Sequence, residues 1–270
     1  MKKLFTLTLL VALCFASCAK SEPTGGANNE EMGVATISIG ATTDVEATRA
    51  ELTTNLSGVV NAPAAEDFFL VVNGVKNEAG DTLNNSWEFT NINEFNGTQY
   101  LYRGYYKATV VAGDINNEGY NLPTFMGTSE EFLIVPRTNV DVEITATIAN
   151  AIVKVEVTDA FKEYFTGGYK LNVATDSNTF EDVTSAENSG KLLFIKPGTF
   201  TVSGTATKQA NQSGGSATVI PLSKEVTGVA RTIYTVKFDV SNAGGATLQI
   251  TLNDTLVHEE AIEDELNPFA

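Results

Sequence analysis

Apolar residues recur at every second position through most of this chain. Ala35-Thr36-Ile37-Ser38-Ile39 shows the pattern, and stretches rich in Val, Ile, Thr, Tyr and Phe repeat it at 68–72, 105–111, 140–148, 152–157, 169–174, 200–204, 234–240 and 247–252. A period of two sends one side of a strand to a core and the other to water. Clusters of Gly, Asn, Asp and Pro fall between these stretches, where turns belong. Helical spacing is scarce: 159–165 (Asp-Ala-Phe-Lys-Glu-Tyr-Phe) predicts one or two turns with Asp159 as N-cap. The pattern predicts an all-β fold of antiparallel strands, each facing a core on one side.

The pattern is also duplicated. Arg103-Gly104-Tyr105-Tyr106-Lys107-Ala108-Thr109-Val110 parallels Pro197-Gly198-Thr199-Phe200-Thr201-Val202, about 94 residues on. Val140-Asp141-Val142-Glu143-Ile144 parallels Ile233-Tyr234-Thr235-Val236-Lys237-Phe238, and 68–72 corresponds to 169–173. Two copies are too few for a solenoid, and some 220 ordered residues are too many for one sandwich of about 100. The expected organisation is two tandem antiparallel β-sandwich domains, 33–148 and 149–253, with an acidic tail at 254–270. That tail packs six carboxylates and the lone histidine, His258, into a stretch that reads as frayed or as a short helical turn.

The opening of the chain changes the picture. Lys2 and Lys3 precede an apolar run over 4–15, and small residues lead into Cys18. This is a secretory signal peptide (1–17), too short for a lasting membrane span. Its end resembles a bacterial lipobox, with Phe15 where leucine is commoner, which implies acylation of Cys18. An ordinary signal followed by an incidental cysteine is the competing reading. The only other cysteine, Cys14, lies within the signal, so the exported chain carries no disulfide. Residues 18–32, rich in Ser, Gly, Asn and Glu, read as the lipidated cysteine and a flexible tether. The formal charge is −16, and −18 once both signal lysines are gone. Such a surface repels phosphate backbones, which excludes nucleic acid as a partner.

Candidate chemistry is thin. His258, the only histidine, sits in the tail, so no Ser-His-Asp or Cys-His apparatus can be assembled. No catalytic residue, cofactor or metal site is assigned, and the chain is not read as an enzyme. The acidic pairs Glu130/Glu131 and Glu181/Asp182 are what thirty-three acids produce by chance. Asp114-Ile115-Asn116-Asn117-Glu118-Gly119 resembles the start of a calcium loop, but its twelfth position is Phe125 and no helices flank it, so a polar turn is the plainer reading. Asp81-Thr82-Leu83 and Asp254-Thr255-Leu256 resemble an O-glycosylation acceptor of Bacteroides. Exposed aromatics can form sugar platforms, and Trp87, Tyr100 and Tyr102 are the candidates; Tyr100 and Tyr102 share one strand face.

Several of these features together resemble a known family. The lipobox, the alternating first strand and Ala47-Thr48-Arg49-Ala50 resemble surface lipoproteins of Bacteroides-type bacteria. Gly104-Tyr105-Tyr106, Ala112-Gly113, 122–127 (Leu-Pro-Thr-Phe-Met-Gly) and the centre of 140–155 are similar to the DUF4493 lipoproteins, which are related in style to the fimbrillin-like subunits of type V pili. That resemblance implies two transthyretin-like or Ig-like sandwiches anchored by lipid at the outer membrane. It also implies cleavage after Arg49, displacement of the strand at 35–39, and acceptance of a neighbour's strand in the vacated groove. The acidic stretch at 257–264 departs from a good donor strand. A structural, adhesive or fimbria-like surface role is the implied function, with other subunits or host ligands as partners. A carbohydrate-binding lipoprotein serving glycan uptake is the alternative.

Overall fold

The computed structural model describes residues 31–46, 53–96, 98–208, 217–241, 247–252 and 262–265. Cys18, Arg49 and His258 lie outside the described residues, as does Asp254-Thr255-Leu256.

Strands dominate. In chain order they are β1 (Met32–Ala41), β2 (Asp44–Glu46), β3 (Thr53–Asn55), β4 (Phe69–Lys76), β5 (Ser86–Phe89), β6 (Tyr100–Tyr102) and β7 (Gly104–Ala112). Next come β8 (Gly119–Tyr120), β9 (Phe125–Thr128), β10 (Phe132–Ile134), β11 (Asn139–Ile148), β12 (Ala151–Val157), β13 (Tyr169–Thr175) and β14 (Thr179–Phe180). The last are β15 (Leu193–Ile195), β16 (Gly198–Lys208), β17 (Thr218–Gly228), β18 (Thr232–Ser241), β19 (Thr247–Leu252) and β20 (Ile262–Glu265). Two short helices interrupt them, α1 (Ile92–Phe95) and α2 (Asp159–Tyr164). The chain is all-β, and all nine stretches of alternating residues are strands.

Two compact units form, interleaved along the sequence. The first takes the chain up to Ala41, then Pro63–Asp114 and Met126–Ala146; the second takes Thr42–Ala62, Ile115–Phe125 and everything from Thr147. A single cut near residue 149 therefore leaves two excursions in the other unit. Strand pairing is what recruits them: β2 bridges β18, and β8 pairs with β15.

The first unit is one continuous sheet in the order β5-β4-β7-β9-β11-β1-β6, with β10 also on β7. Its inward positions are the apolar half of each alternation. Ile37, Leu70, Leu101, Tyr106, Val110 and Ile144 are buried there, and the polar residues between them face water. In the second unit β12, β15 and β18 share one sheet, and β14-β13-β16-β17 make another. One core joins the two sheets, with Val153, Phe238, Leu171, Val173 and Phe200 packed round Phe161 of α2.

The sheets are mixed, which corrects the expectation of antiparallel strands throughout. In each copy of the repeat the opening strand runs parallel to the closing one: β1 beside β11 from Val34↔Asn139 to Ala41↔Ala146, and β12 beside β18 from Ala151↔Thr232 to Val157↔Phe238, with β19 and β20 following β18. On its other edge each first strand meets a short antiparallel partner, β6 or β15. Period-two alternation carries no information about strand direction, which explains the miss. The duplication extends to the opening glycines of β7 and β16, Gly104 (φ 156°) and Gly198 (φ 153°), although the first copy forms one sheet and the second two.

Local details correct other expectations. The N-cap of α2 is Thr158, whose hydroxyl accepts from the Phe161 N–H at 3.2 Å, and Asp159 is the first helical residue. In the acidic tail, Ile262–Glu265 pairs antiparallel with β19 instead of fraying or turning helical. The longest strand not foreseen is β17, which matches β16 residue for residue from Gly198↔Gly228 to Lys208↔Thr218 and ends its sheet. Pro221 in its middle hides it from a strand search.

A buried amide organises the opening of the second unit's first strand. Asn150, fully buried, accepts the Thr124 N–H on Oδ1 at 2.6 Å and donates from Nδ2 to the Ile195 carbonyl at 3.4 Å. Its own carbonyl accepts the Arg231 N–H at 2.8 Å. Removing the amide strands a buried donor, which costs about 1–3 kcal/mol. Asn150→Ala should therefore lower unfolding free energy by about 2 kcal/mol in urea titrations read by circular dichroism; a loss under about 0.5 kcal/mol would show that the amide carries no weight.

Candidate functional site at the first strand

The strand that the sequence marks for processing is a built-in part of the first unit. Ala35 and Ile37 of β1 are buried, opposite Val140 and Val142 of β11. On its outer edge β1 first meets β6, through Met32↔Tyr102 and Val34↔Tyr100. Where β6 ends, a side chain takes over. Asn96 accepts the Ile37 N–H on Oδ1 at 2.9 Å and donates from Nδ2 to the Ile37 carbonyl at 2.8 Å, so one amide does the work of a strand neighbour. Asn96 is held at the end of α1, which Asn91 caps by accepting the N–H groups of Asn93 and Glu94.

The start of β1 is crossed by the 135–138 turn. The Arg137 N–H donates to the Met32 carbonyl at 2.8 Å, and the Val34 N–H donates to the Thr138 carbonyl at 2.9 Å. Arg137 holds φ at 60°, in the left-handed region that disfavours residues carrying a Cβ. A shallow depression lies over this point, lined by Met32, Gly33, Val34, Tyr100, Arg137, Thr138 and Asn139.

The aromatic candidates divide between two places. Tyr100 and Tyr102 are 51% and 44% exposed and flank the buried Leu101, so both rings stand on the outer face of β6. Trp87 of β5 is half-buried; it lies opposite Val72, on the core-facing side of its strand, with its ring centroid 6.1 Å from that of Tyr106. It does not join the pair on β6. Tyr106 itself is fully buried, and its hydroxyl donates to the Tyr102 carbonyl at 2.8 Å, tying the core to the strand that carries the exposed rings.

The polar candidates are engaged with protein groups. In the loop that resembles a calcium site, Glu118 accepts the Lys196 N–H on Oε1 at 2.9 Å. Its Oε2 accepts from the Thr175 hydroxyl and the Asn178 amide, both at 2.7 Å. Asn116 accepts from the Lys196 ammonium at 3.2 Å. Among the described residues no group of three or more His, Cys, Asp or Glu is placed to hold a metal. Glu131 pairs with Lys76 at 2.8 Å and Glu181 with Lys170 at 3.0 Å, so each of these acids answers a lysine. Their lysines are held above the usual ammonium range, chiefly by hydrogen bonds to those carboxylates. Thr82 is exposed on the β4–β5 connection, where Asp81 and Asn77 brace each other.

One signal within the sequence was overlooked. Val135-Pro136-Arg137-Thr138 recurs as Val229-Ala230-Arg231-Thr232, and both arginines have left-handed backbones, φ 60° and 61°. Both donate their N–H to a carbonyl at the start of a first strand, Met32 or Asn150, each at 2.8 Å.

These features define an all-β chain built on a duplicated pattern, in each copy of which the opening strand lies parallel to the closing one. The chain belongs to the DUF4493 family: the model of this domain of unknown function matches residues 31–268. No curated protein matches it. Among solved structures, a candidate cell adhesion protein from Bacteroides eggerthii is similar at 15% identity, with 87% of this chain and 95% of that one covered and a TM-score of 0.40. The fimbrial anchor protein Mfa2 from Porphyromonas gingivalis is similar at 10% identity, 82% and 99% coverage and a TM-score of 0.37. A candidate polysaccharide-binding protein from Bacteroides thetaiotaomicron is similar at 12% identity, 73% and 92% coverage and a TM-score of 0.36.

Burial pushes the Tyr106 hydroxyl up to about 12. A phenol whose folded value lies above its unfolded one, about 10, contributes stability that is complete below pH 10 and is lost as pH rises through 12. Alkaline unfolding of the first unit, followed by Trp87 fluorescence, should begin in that window. In Tyr106→Phe the window should flatten at a cost of about 1 kcal/mol at neutral pH; an unchanged alkaline profile would assign the titration elsewhere.

Proposed function

We propose that this chain is a lipid-anchored cell-surface protein with a structural or adhesive, fimbria-like role, matured by cleavage after Arg49 and joined to other subunits by strand exchange at the seat of β1. Until that cut, acylated Cys18 would fix the chain to the outer membrane through the 18–32 tether. Several buried acyl chains hold firmly, because each methylene contributes about 0.8 kcal/mol.

The position of β1 is the observation that supports this most. It is the first strand in sequence yet lies inside its sheet, between β11 and β6. A terminal segment can leave the interior of a sheet once the chain behind it is cut, because nothing has to be unthreaded. Its counterpart β12 is covalently continued at both ends and cannot leave that way. The vacated place would offer the β11 edge, Asn96 and an apolar slot over Ile144, which is the kind of gap that a neighbour's strand fills. The departing piece would also surrender the pairing of β2 with β3.

Trypsin treatment of the full chain should yield a new N-terminus at Ala50 and a ladder of denaturant-resistant oligomers, both missing in Arg49→Ala. A cut elsewhere, or a clean cut with monomers only, would remove the strand-exchange reading. Labelled palmitate should attach to the wild type and be lost in Cys18→Ser.

The exposed pair on β6 favours a second reading, carbohydrate binding in the service of glycan uptake. Tyrosine rings standing outward beside a shallow, mainly apolar depression with Arg137 and Asn139 in its lining suit the faces of sugar rings. Replacing Tyr100 and Tyr102 together with alanine should then weaken binding to surface polysaccharides at least tenfold on a glycan array, with folding unchanged. Equal signals from variant and wild type would leave the first reading alone.

A further inference from the structure

We infer that the Val135–Thr138 turn is a strap that holds β1 in place and sets how readily that strand leaves its sheet. The inference rests on the strand-exchange reading for its purpose, but its physical content is independent of it.

The strap lies unusually close to β1. A Cβ on Gly33 would collide with the Val135 carbonyl oxygen and press on the side chain of Ile134 and the Thr138 carbonyl. Only a residue without a side chain lets the turn descend onto the strand at this point. Contact is sealed by the two crossing hydrogen bonds, Arg137 N–H to Met32 and Val34 N–H to the Thr138 carbonyl. The turn is braced within itself, because the Thr138 hydroxyl and N–H both donate to the Val135 carbonyl, at 2.8 and 3.3 Å. At its apex Arg137 sits in a left-handed conformation that disfavours residues other than glycine, so the strap is seated against some resistance.

The second copy of the motif sharpens the point. Registers place Ala151 of β12 where Gly33 lies in β1, since Val34 faces Asn139 and Ala151 faces Thr232. The second strap keeps the left-handed arginine and its hydrogen bond, yet accommodates a methyl group. The close seat is thus confined to the unit whose first strand, β1, comes first among the described strands. There a strap has something to regulate: once the chain beyond β1 is severed, the bonds at Met32 and Val34 are among the last to be broken.

Gly40, on the same strand, provides the control. A Cβ added there meets nothing within 4 Å. Hydrogen–deuterium exchange of the full chain, read on a peptide spanning 35–39, should be tenfold or more faster in Gly33→Ala, since losing two crossing bonds shifts local opening by that order. It should be unchanged in Gly40→Ala and about threefold faster in Thr138→Val, which weakens the brace at an exposed position without adding bulk. Peptides of β12 should exchange at wild-type rates in all three, reporting an intact second unit. If Gly33→Ala disrupts the first unit altogether, Thr138→Val still decides. Exchange of 35–39 within twofold of wild type in both Gly33→Ala and Thr138→Val would overturn the strap. The same preparations cut with trypsin separate the two ideas. Faster exchange without oligomers sinks strand exchange and keeps the strap, whereas oligomers with unaltered exchange do the reverse.

Discussion

The duplicated pattern depends on one arrangement of backbone hydrogen bonds, the parallel seam between the opening and closing strands of each copy. Parallel strands cannot be joined by a tight turn. The seam therefore obliges the intervening chain to make a long excursion before it returns to close the copy, and most strands of the repeat form on the way. In the first unit the excursion runs from β1 to β11, and in the second from β12 to β18. Because β11 ends at Ile148 and β12 begins at Ala151, the strand that closes one copy hands the chain almost at once to the strand that opens the next. Asn150 stands in that handover; its buried amide satisfies groups from two separate stretches of chain and its backbone carbonyl a third.

Much of this was legible in the sequence, for an identifiable reason. Each long strand buries one side only, so Ile37, Val110, Ile144, Val173 and Phe238 announce themselves by spacing. The pairing of Tyr100 with Tyr102 on one face follows from the same rule. What spacing could not give was direction, hence the parallel seams, or the presence of strands as short as β6 and β15, where two or three residues carry no period. Trp87 shows a further gap: which side of β5 faces inward depends on its being opposite Val72, a fact of register that no local pattern contains. Thr158 was passed over as a cap because Asp159, one residue on, is an equally good candidate by type. The Val-x-Arg-Thr repeat was visible as letters, but its meaning lies in a backbone angle.

The chain's polar groups are arranged to hold structure together. Glu118 gathers three protein donors from two stretches of chain, and one acid of each adjacent acidic pair, Glu131 or Glu181, faces a lysine across a strand or turn. Exposed pairs of this sort contribute little energy, typically under 1 kcal/mol. Their effect here is local alignment, and the acidic excess is left spread over the outside. The described residues contain no cysteine, so their cohesion falls to apolar burial and to hydrogen-bonded buried polar groups such as Asn150 and Tyr106.

The outermost strand of the second unit has a consequence of its own. β17 runs for eleven residues at the border of its sheet, and Val219 on it is 60% exposed. A ribbon of that length is an invitation to lateral zippering when many copies crowd together. Pro221 interrupts the row of donors, and Lys224 and Glu225 place charges farther along, a combination that discourages flat stacking. The molecule is thereby equipped to live shoulder to shoulder with its own kind without fusing into aggregates.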